Sequence, residues 1–233
     1  MRPFVVDAPQ ADLDRIRARV ADYRWPPAPA DDAGSWARGM DTGWLRGFAE
    51  HWLERYDWRA WEATLNRWPQ VMVTVDGLDL HAVHVVGEAG GKRPLLLTHG
   101  WPGSHFEFWD VIEPLAFPSR HGGDPADAFD LVIPSLLAAL GYPRFLAQGG
   151  DWGGLVTSWL GLDHPDAVAA IHLNMIGLRP TPAAPQTDAE KAWLADTAGR
   201  MQAGGGYFMQ QATKPQTLAL AVSDSPLGVA AWI

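Results

Sequence analysis

The sequence predicts a doubly wound, mostly parallel α/β sheet preceded by helices, and three observations carry that prediction. Short apolar runs at 94–98, 130–133, 145–147 and 169–173 show no polar alternation, as strands covered by helices on both faces do. Stretches with helical spacing, 106–115 and 154–163, lie between some of these runs. Residues 71–86 alternate apolar and polar around Asp76-Gly77, which predicts a β-hairpin leading into the sheet.

The elements follow in chain order. Leu13, Ile16, Val20 and Tyr23 recur at helical spacing over 7–24, with Asp7 as candidate N-cap and Pro9 in the first turn. Trp25-Pro26-Pro27 ends that helix, because proline cannot continue the hydrogen-bond ladder. Residues 28–41, rich in Ala, Pro, Asp and Gly, read as a surface excursion. A second helical stretch runs from 44 to 66, with a break placed near Tyr56-Asp57. No internal repeat or low-complexity tract occurs.

Composition narrows the function. The chain has 233 residues, 47% hydrophobic and 19% charged, enough for one α/β domain with an appendage. Its net charge of −9 argues against a nucleic-acid partner, since phosphate binding needs a basic patch. No apolar run approaches the ~18 residues of a membrane span, and the start lacks the pattern of a secretory signal. The absence of Cys excludes disulfides, thiol nucleophiles and Cys-ligated zinc, and fits a cytoplasmic protein. The chain carries 13 Trp; these suit an apolar cavity, and equally the filling of core gaps. A homo-oligomer is left open.

The chemistry concentrates at Phe145-Leu146-Ala147-Gln148-Gly149-Gly150-Asp151-Trp152-Gly153-Gly154. A buried strand runs through Gly-x-Asp-x-Gly directly into a helix, the nucleophile-elbow spacing with Asp where Ser is usual. A tight turn with a strained backbone at Asp151 leaves no room for side chains two residues to either side, hence Gly149 and Gly153. The helix that follows aims its N-terminus at the site and stabilises negative charge there. A carboxylate nucleophile attacks an sp³ carbon and forms an alkyl ester, which suits epoxides and haloalkanes. A solvated Asp in a glycine-rich turn is the alternative, and the flanking strand and helix argue against it.

A second motif, Leu95-Leu96-Leu97-Thr98-His99-Gly100-Trp101-Pro102-Gly103-Ser104, ends another buried strand in a glycine-rich loop. Such a loop supplies one main-chain N–H to an oxyanion hole, and the residue after the nucleophile supplies the other. Trp101 and Trp152 hold those positions. His99 reads as a buttress of the loop, together with Gly100 and Pro102, rather than as a catalytic base.

These segments resemble the epoxide hydrolases of the microsomal and juvenile-hormone type, in particular their bacterial relatives. The resemblance also rests on Tyr23-Arg24-Trp25-Pro26, Tyr56-Asp57-Trp58-Arg59, Leu65-Asn66-Arg67-Trp68-Pro69-Gln70, Thr213-Lys214-Pro215-Gln216-Thr217 and Ser223-Asp224-Ser225-Pro226. It implies an α/β-hydrolase fold in three parts: an N-terminal helical meander at 1–70, the nucleophile-bearing core at 71–180 and the start of a helical lid at 181–233. It implies Asp151 as nucleophile and Tyr207 as a lid tyrosine that hydrogen-bonds the epoxide oxygen. Read by itself, Tyr207 follows three glycines and equally suits a flexible loop. The substrate would be a small apolar epoxide with water as co-substrate, opened to a vicinal diol in a detoxification role without metal or organic cofactor. A haloalkane dehalogenase and a catalytically silent binding protein on the same fold are the rival readings.

The sequence departs from the family in two places. After Asp151 the histidines are His164 and His172, and neither is placed like the family's C-terminal base with its acid partner. Nine residues, 136–144, separate two predicted parallel strands, where a crossover needs about a dozen. The expectation is that residues are missing between Leu136 and Leu137 and after Ile233.

Overall fold

The alternation around Asp76-Gly77 folds into the expected hairpin: β-strands Gln70–Val75 and Leu78–Val85 pair antiparallel, with Val71 opposite Ala82 and Val73 opposite Leu80. The computed structural model describes residues 1–27, 34, 36–90, 93–133, 141–175 and 187–233. In chain order the elements are β1 (Arg2–Phe4), α1 (Gln10–Ala21), α2 (Thr42–Glu54), α3 (Trp58–Leu65), β2 (Gln70–Val75), β3 (Leu78–Val85), β4 (Pro94–Thr98), α4 (Trp109–Ala116), β5 (Asp130–Ile133), β6 (Phe145–Gly149), α5 (Trp152–Asp163), β7 (Val168–Leu173), α6 (Asp188–Gly204), α7 (Gly206–Thr213), α8 (Pro215–Val222) and α9 (Pro226–Trp232). They form two compact units, one of Met1–Asp7 with Arg59–Pro180 and one of Ala8–Trp58 with Thr181–Ile233.

The first unit is built on a sheet of order β1-β2-β3-β5-β4-β6-β7. The pairs β1–β2, β2–β3 and β3–β5 are antiparallel, whereas β5–β4, β4–β6 and β6–β7 are parallel. Helices cover both faces, as the unbroken apolar runs predict. On one face Trp109, Ile112 and Ala116 of α4 pack with Val83, Val85, Leu97, Leu131 and Ile133. On the other, Leu160 of α5 packs against Leu96, Val132, Ala147 and Val168. Each such aliphatic side chain contributes about 1.5–3 kcal/mol on burial. At the far side of the sheet, Ala169 to His172 of β7 are exposed, and among the described residues β7 is an edge strand.

A buried polar cluster closes the opposite end of the strands. Asp130, 1% exposed, accepts a 2.8 Å hydrogen bond from the Gly87 N–H and a 3.1 Å bond from the Tyr142 hydroxyl. The same hydroxyl lies 3.1 Å from His84 Nε2. Burial, then the charge and the hydrogen bond of Asp130, push the Tyr142 phenol up to about 12.

The second unit has its own core of Val20 from α1, Leu45 and Ala49 from α2 and Leu227 from α9. Arg19 forms an ion pair with Asp224. The chain enters α6 through a capping box between Thr187 and Glu190, and the Ser225 hydroxyl caps α9 at the Gly228 N–H, 2.9 Å away.

Several expectations shift. Asp7 does not cap α1: the helix starts at Gln10 with Pro9 in the N-cap place and no side-chain cap, because Pro9 is extended (ψ 136°) and holds the residue before it out of helical space. The stretch 44–66 is two helices, α2 and α3, broken at the predicted place. Strand β1 is an addition; Pro3 within it argues against a strand in sequence, yet an edge position accommodates proline. The helical stretch at 106–115 begins as a 3-10 turn, His105–Phe108, before α4. The break expected between Leu136 and Leu137 falls outside the described residues.

Candidate active site

Strand β4 lies between β5 and β6, so the chain leaves it in opposite directions on its two sides. In such sheets, ligands bind in the crevice at the carboxyl ends of the strands where the order reverses. Those ends are Thr98 and Gly149, which are paired in register. From Thr98 the chain enters the loop 99–104, and from Gly149 it turns through Gly150 and Asp151 into α5. His99, Gly100, Trp101, Pro102 and Asp151 line one cleft of about 210 Å³ there.

Asp151 has φ 53° and ψ −126°, a conformation that L residues adopt only where the surroundings impose it. Its neighbours impose it by contact. A methyl group on Gly149 would sit 2.1 Å from the Gly153 carbonyl oxygen, and one on Gly153 would sit 2.0 Å from that of Thr98. Gly153 therefore lets the elbow lie directly on β4, and Gly149 lets the start of α5 close on β6. Gly100 has the same relation to the site: a methyl there would be 2.3 Å from Asp151 Cβ.

The Trp101 N–H donates a 3.0 Å hydrogen bond to Asp151 Oδ1. Trp152 opens α5 at the first helical position, where a main-chain N–H has no acceptor within the helix; the residue is 62% exposed. His99 Nδ1 lies 3.0 Å from the Gly100 carbonyl oxygen, so Nδ1 carries the proton and donates. The Trp101–Pro102 peptide is cis. Tyr207 belongs to the other unit, as the second residue of α7, and is 52% exposed. His164 is the C-cap residue of α5, and His172 lies in β7 opposite Gln148; neither lines the cleft.

The cleft also contains residues that motif reading passes over: Glu107, Phe108, Gln148 and Asn174. Asn174 stands one residue past the end of β7, and its Oδ1 would be 2.1 Å from a methyl on Gly150. Its position at the carboxyl end of a strand beside β6 is a usable signal. Glu107 carries none, since it is placed by the path of the loop. Beneath that loop, His81 and His105 rings lie 5.1 Å apart. Burial holds both below the ordinary histidine value, and for His105 the charges of His81 and His99 add to it. Among the described residues no group of His, Asp and Glu is arranged to hold a metal ion, and no helix is long and apolar enough to cross a membrane.

Comparison with known proteins agrees with this geometry. The family model "Epoxide hydrolase N terminus" matches residues 1–108, and that of the alpha/beta hydrolase fold matches residues 124–203. A Stigmatella aurantiaca protein whose name places it among the epoxide hydrolases is 38% identical over 259 residues, covering 99% of this chain and 58% of its own length. "Epoxide hydrolase 1" of Sus scrofa is 28% identical, over 100% of this chain and 61% of its own. The chain thus spans about three-fifths of the length of these relatives. The structure of Aspergillus niger epoxide hydrolase superposes with a TM-score of 0.87 at 31% identity, over 100% of this chain and 68% of that one. The juvenile hormone epoxide hydrolase of Bombyx mori gives 0.88 at 26% identity, over 100% and 64%. With a matching family model at its start, a carboxylate elbow at its centre and the A. niger enzyme as a structural relative over its whole length, the chain belongs to the epoxide hydrolases of the α/β-hydrolase fold.

Proposed function

We propose that this chain carries the alkylating half of an epoxide hydrolase, with Asp151 as the nucleophile that opens an apolar epoxide toward a vicinal diol. The hydrogen bond from the Trp101 N–H to Asp151 Oδ1 is the observation that carries this reading. It ties Oδ1 to the loop and leaves Oδ2 as the attacking oxygen. Attack by Oδ2 on an epoxide carbon forms the C–O ester bond and breaks the ring C–O bond. The Tyr207 phenol hydrogen-bonds the departing oxygen and gives it a proton.

Water then adds to Asp151 Cγ; of its two protons one ends on the expelled Oδ2 oxygen and the other restores the Tyr207 phenol. The negative charge develops on Oδ1, where the N–H groups of Trp101 and Trp152 stabilise it, and collapse expels the diol with Oδ2. His99, Gly100 and Pro102 hold the loop, Gly153 lets the elbow close on β4, and Gly149 lets α5 start tight against β6. The step needs no metal or organic cofactor. The three-part division into meander (1–70), core (71–180) and incipient lid (181–233) belongs to the same reading, as does detoxification of apolar epoxides in the cytoplasm.

Incubation with styrene oxide, digestion and mass spectrometry test it. The expected result is an adduct on the peptide holding Asp151, absent from Asp151→Asn. An unmodified Asp151 under epoxide excess overturns the proposal, and halide release from a haloalkane would reassign the substrate.

A further inference from the structure

We infer that Asn174 is a positioning residue for the nucleophile: its side-chain amide, seated in the space that Gly150 leaves open, braces the elbow from the β7 side and keeps the Asp151 carboxylate aimed. This rests on Asp151 being the nucleophile. On the β4 side the elbow is already braced. Gly153 lies against the Thr98 and His99 carbonyl oxygens, and Gly100 lies against Asp151 itself. A residue held at φ 53° and ψ −126° needs surroundings that over-determine it.

The carboxyl end of β7 supplies the other side. The Asn174 N–H donates a 3.3 Å hydrogen bond to the Gly149 carbonyl, which sets Asn174 level with the start of the turn. A methyl group on Gly150 would meet Oδ1, Cγ and Nδ2 of Asn174 at 2.1, 2.9 and 3.1 Å, and these are its three nearest neighbours. Gly150 does not have a positive φ, so its backbone conformation does not call for glycine. The amide of Asn174 does. Further along, a methyl group on Gly154 would sit 2.5 Å from the Met175 carbonyl oxygen. Asn174 and Met175 thus lie against both limbs of the elbow, before the nucleophile and after it.

Asn174 lines the same cleft as Asp151, so the brace acts at the site itself. Without the amide, Gly150 regains the wide φ/ψ range of a glycine, directly before the strained residue. Attack on an epoxide carbon depends on aim, with the reacting atoms about 3–3.5 Å apart and their orbitals aligned. Lost aim slows ester formation. Affinity for the epoxide comes from the cleft walls and is left in place.

The test is the early rate of adduct formation on Asp151 over a series of styrene oxide concentrations, read by rapid quench and intact mass. Wild type, Asn174→Ala, Gly150→Ala and the double variant are compared, all below the lowest of their thermal midpoints. Asn174→Ala is expected to lower the saturating rate about ten-fold or more and to leave the half-saturating concentration within about two-fold. Gly150→Ala, whose methyl group takes the place of the amide, should lose a similar factor. The double variant should lose no more than the worse single, because both changes remove one contact. A wild-type rate in Asn174→Ala overturns the proposal, as do losses that multiply in the double variant. A change confined to the half-saturating concentration overturns it too, since that would make Asn174 a substrate contact. All three of these outcomes leave alkylation of Asp151 intact. If wild type forms no adduct, the nucleophile reading has failed, and the proposal with it.

Discussion

Trp101 and Asp151 are joined before any substrate arrives: the main-chain N–H of one donates to Oδ1 of the other at 3.0 Å. The donor that would hold a developing oxyanion already holds the ground-state carboxylate. Replacing Asp151 by Asn keeps the size and suits the positive φ of this position, so the fold is expected to persist. Epoxide consumption should fall by about 10³-fold or more, measured by chromatography of remaining epoxide. Activity retained within tenfold would exclude Asp151 as the nucleophile.

Gly149 and Gly153 are places where stability and function share one steric constraint. Gly149→Ala or Gly153→Ala puts a methyl group 2.1 or 2.0 Å from a main-chain oxygen, and backbone has little room to yield. Each should lower unfolding stability by about 1–3 kcal/mol, the range for overpacking, read from urea midpoints at constant slope. A neutral result at Gly153 would mean that the elbow does not lie on β4 as described, and one at Gly149 that α5 does not close on β6.

The Asp130 cluster gives a prediction remote from the cleft. Tyr142→Phe removes one hydrogen bond to a buried carboxylate, and a loss of about 1–2 kcal/mol is expected. Asp130→Ala should cost more, because it also strands the buried Gly87 N–H. In spectrophotometric titration of the folded protein, the Tyr142 phenol should ionise last, at about 12. Ionisation of all tyrosines together near the ordinary value would contradict the cluster.

The histidines beneath the loop set a pH dependence. His81 and His105 titrate lower when folded than when unfolded, so the unfolded chain binds more protons as the pH falls below about 6.5. Their contribution to stability is fully present above that pH and is lost as acid is added through the folded values. Among the described residues buried His105 Nε2 has no hydrogen-bond partner, which makes its protonation the costlier of the two. Urea midpoints at pH 7.5 and 5.5 should differ by more in wild type than in His105→Phe. Equal pH dependence of the two proteins would remove His105 from the account.

The elements that sequence reading located best are those with strong periodicity or a forced steric pattern. The runs 94–98 and 130–133 are strands with those bounds, because burial on both faces allows no polar interruption. The elbow was legible for a related reason: glycines on both sides of Asp151 mark close approaches, that of Gly153 to β4 and that of Gly149 to the start of α5. Three-residue strand β1 was not legible, since an edge pairing of Pro3 with Val71 depends on a partner nearly seventy positions away. Glu107, Gln148 and Asn174 escaped for the same kind of reason. Three segments converge at one end of the sheet, and no local pattern announces which of their side chains will face the same space. Tyr207 was singled out through the family resemblance, and its placement in a separate unit leaves its role to experiment.

Among the described residues the outer margin of β7 pairs with no other strand. Its exposed stretch, Ala169-Ala170-Ile171-His172, bears no proline and no carboxylate or lysine, the features that usually stop one sheet from growing onto another. Mutual repulsion from a net charge of −9 keeps separate molecules apart at neutral pH. Mild acid neutralises that repulsion, so turbidity should appear there first. A single lysine at Ala170 would be the simplest way to keep concentrated solutions clear.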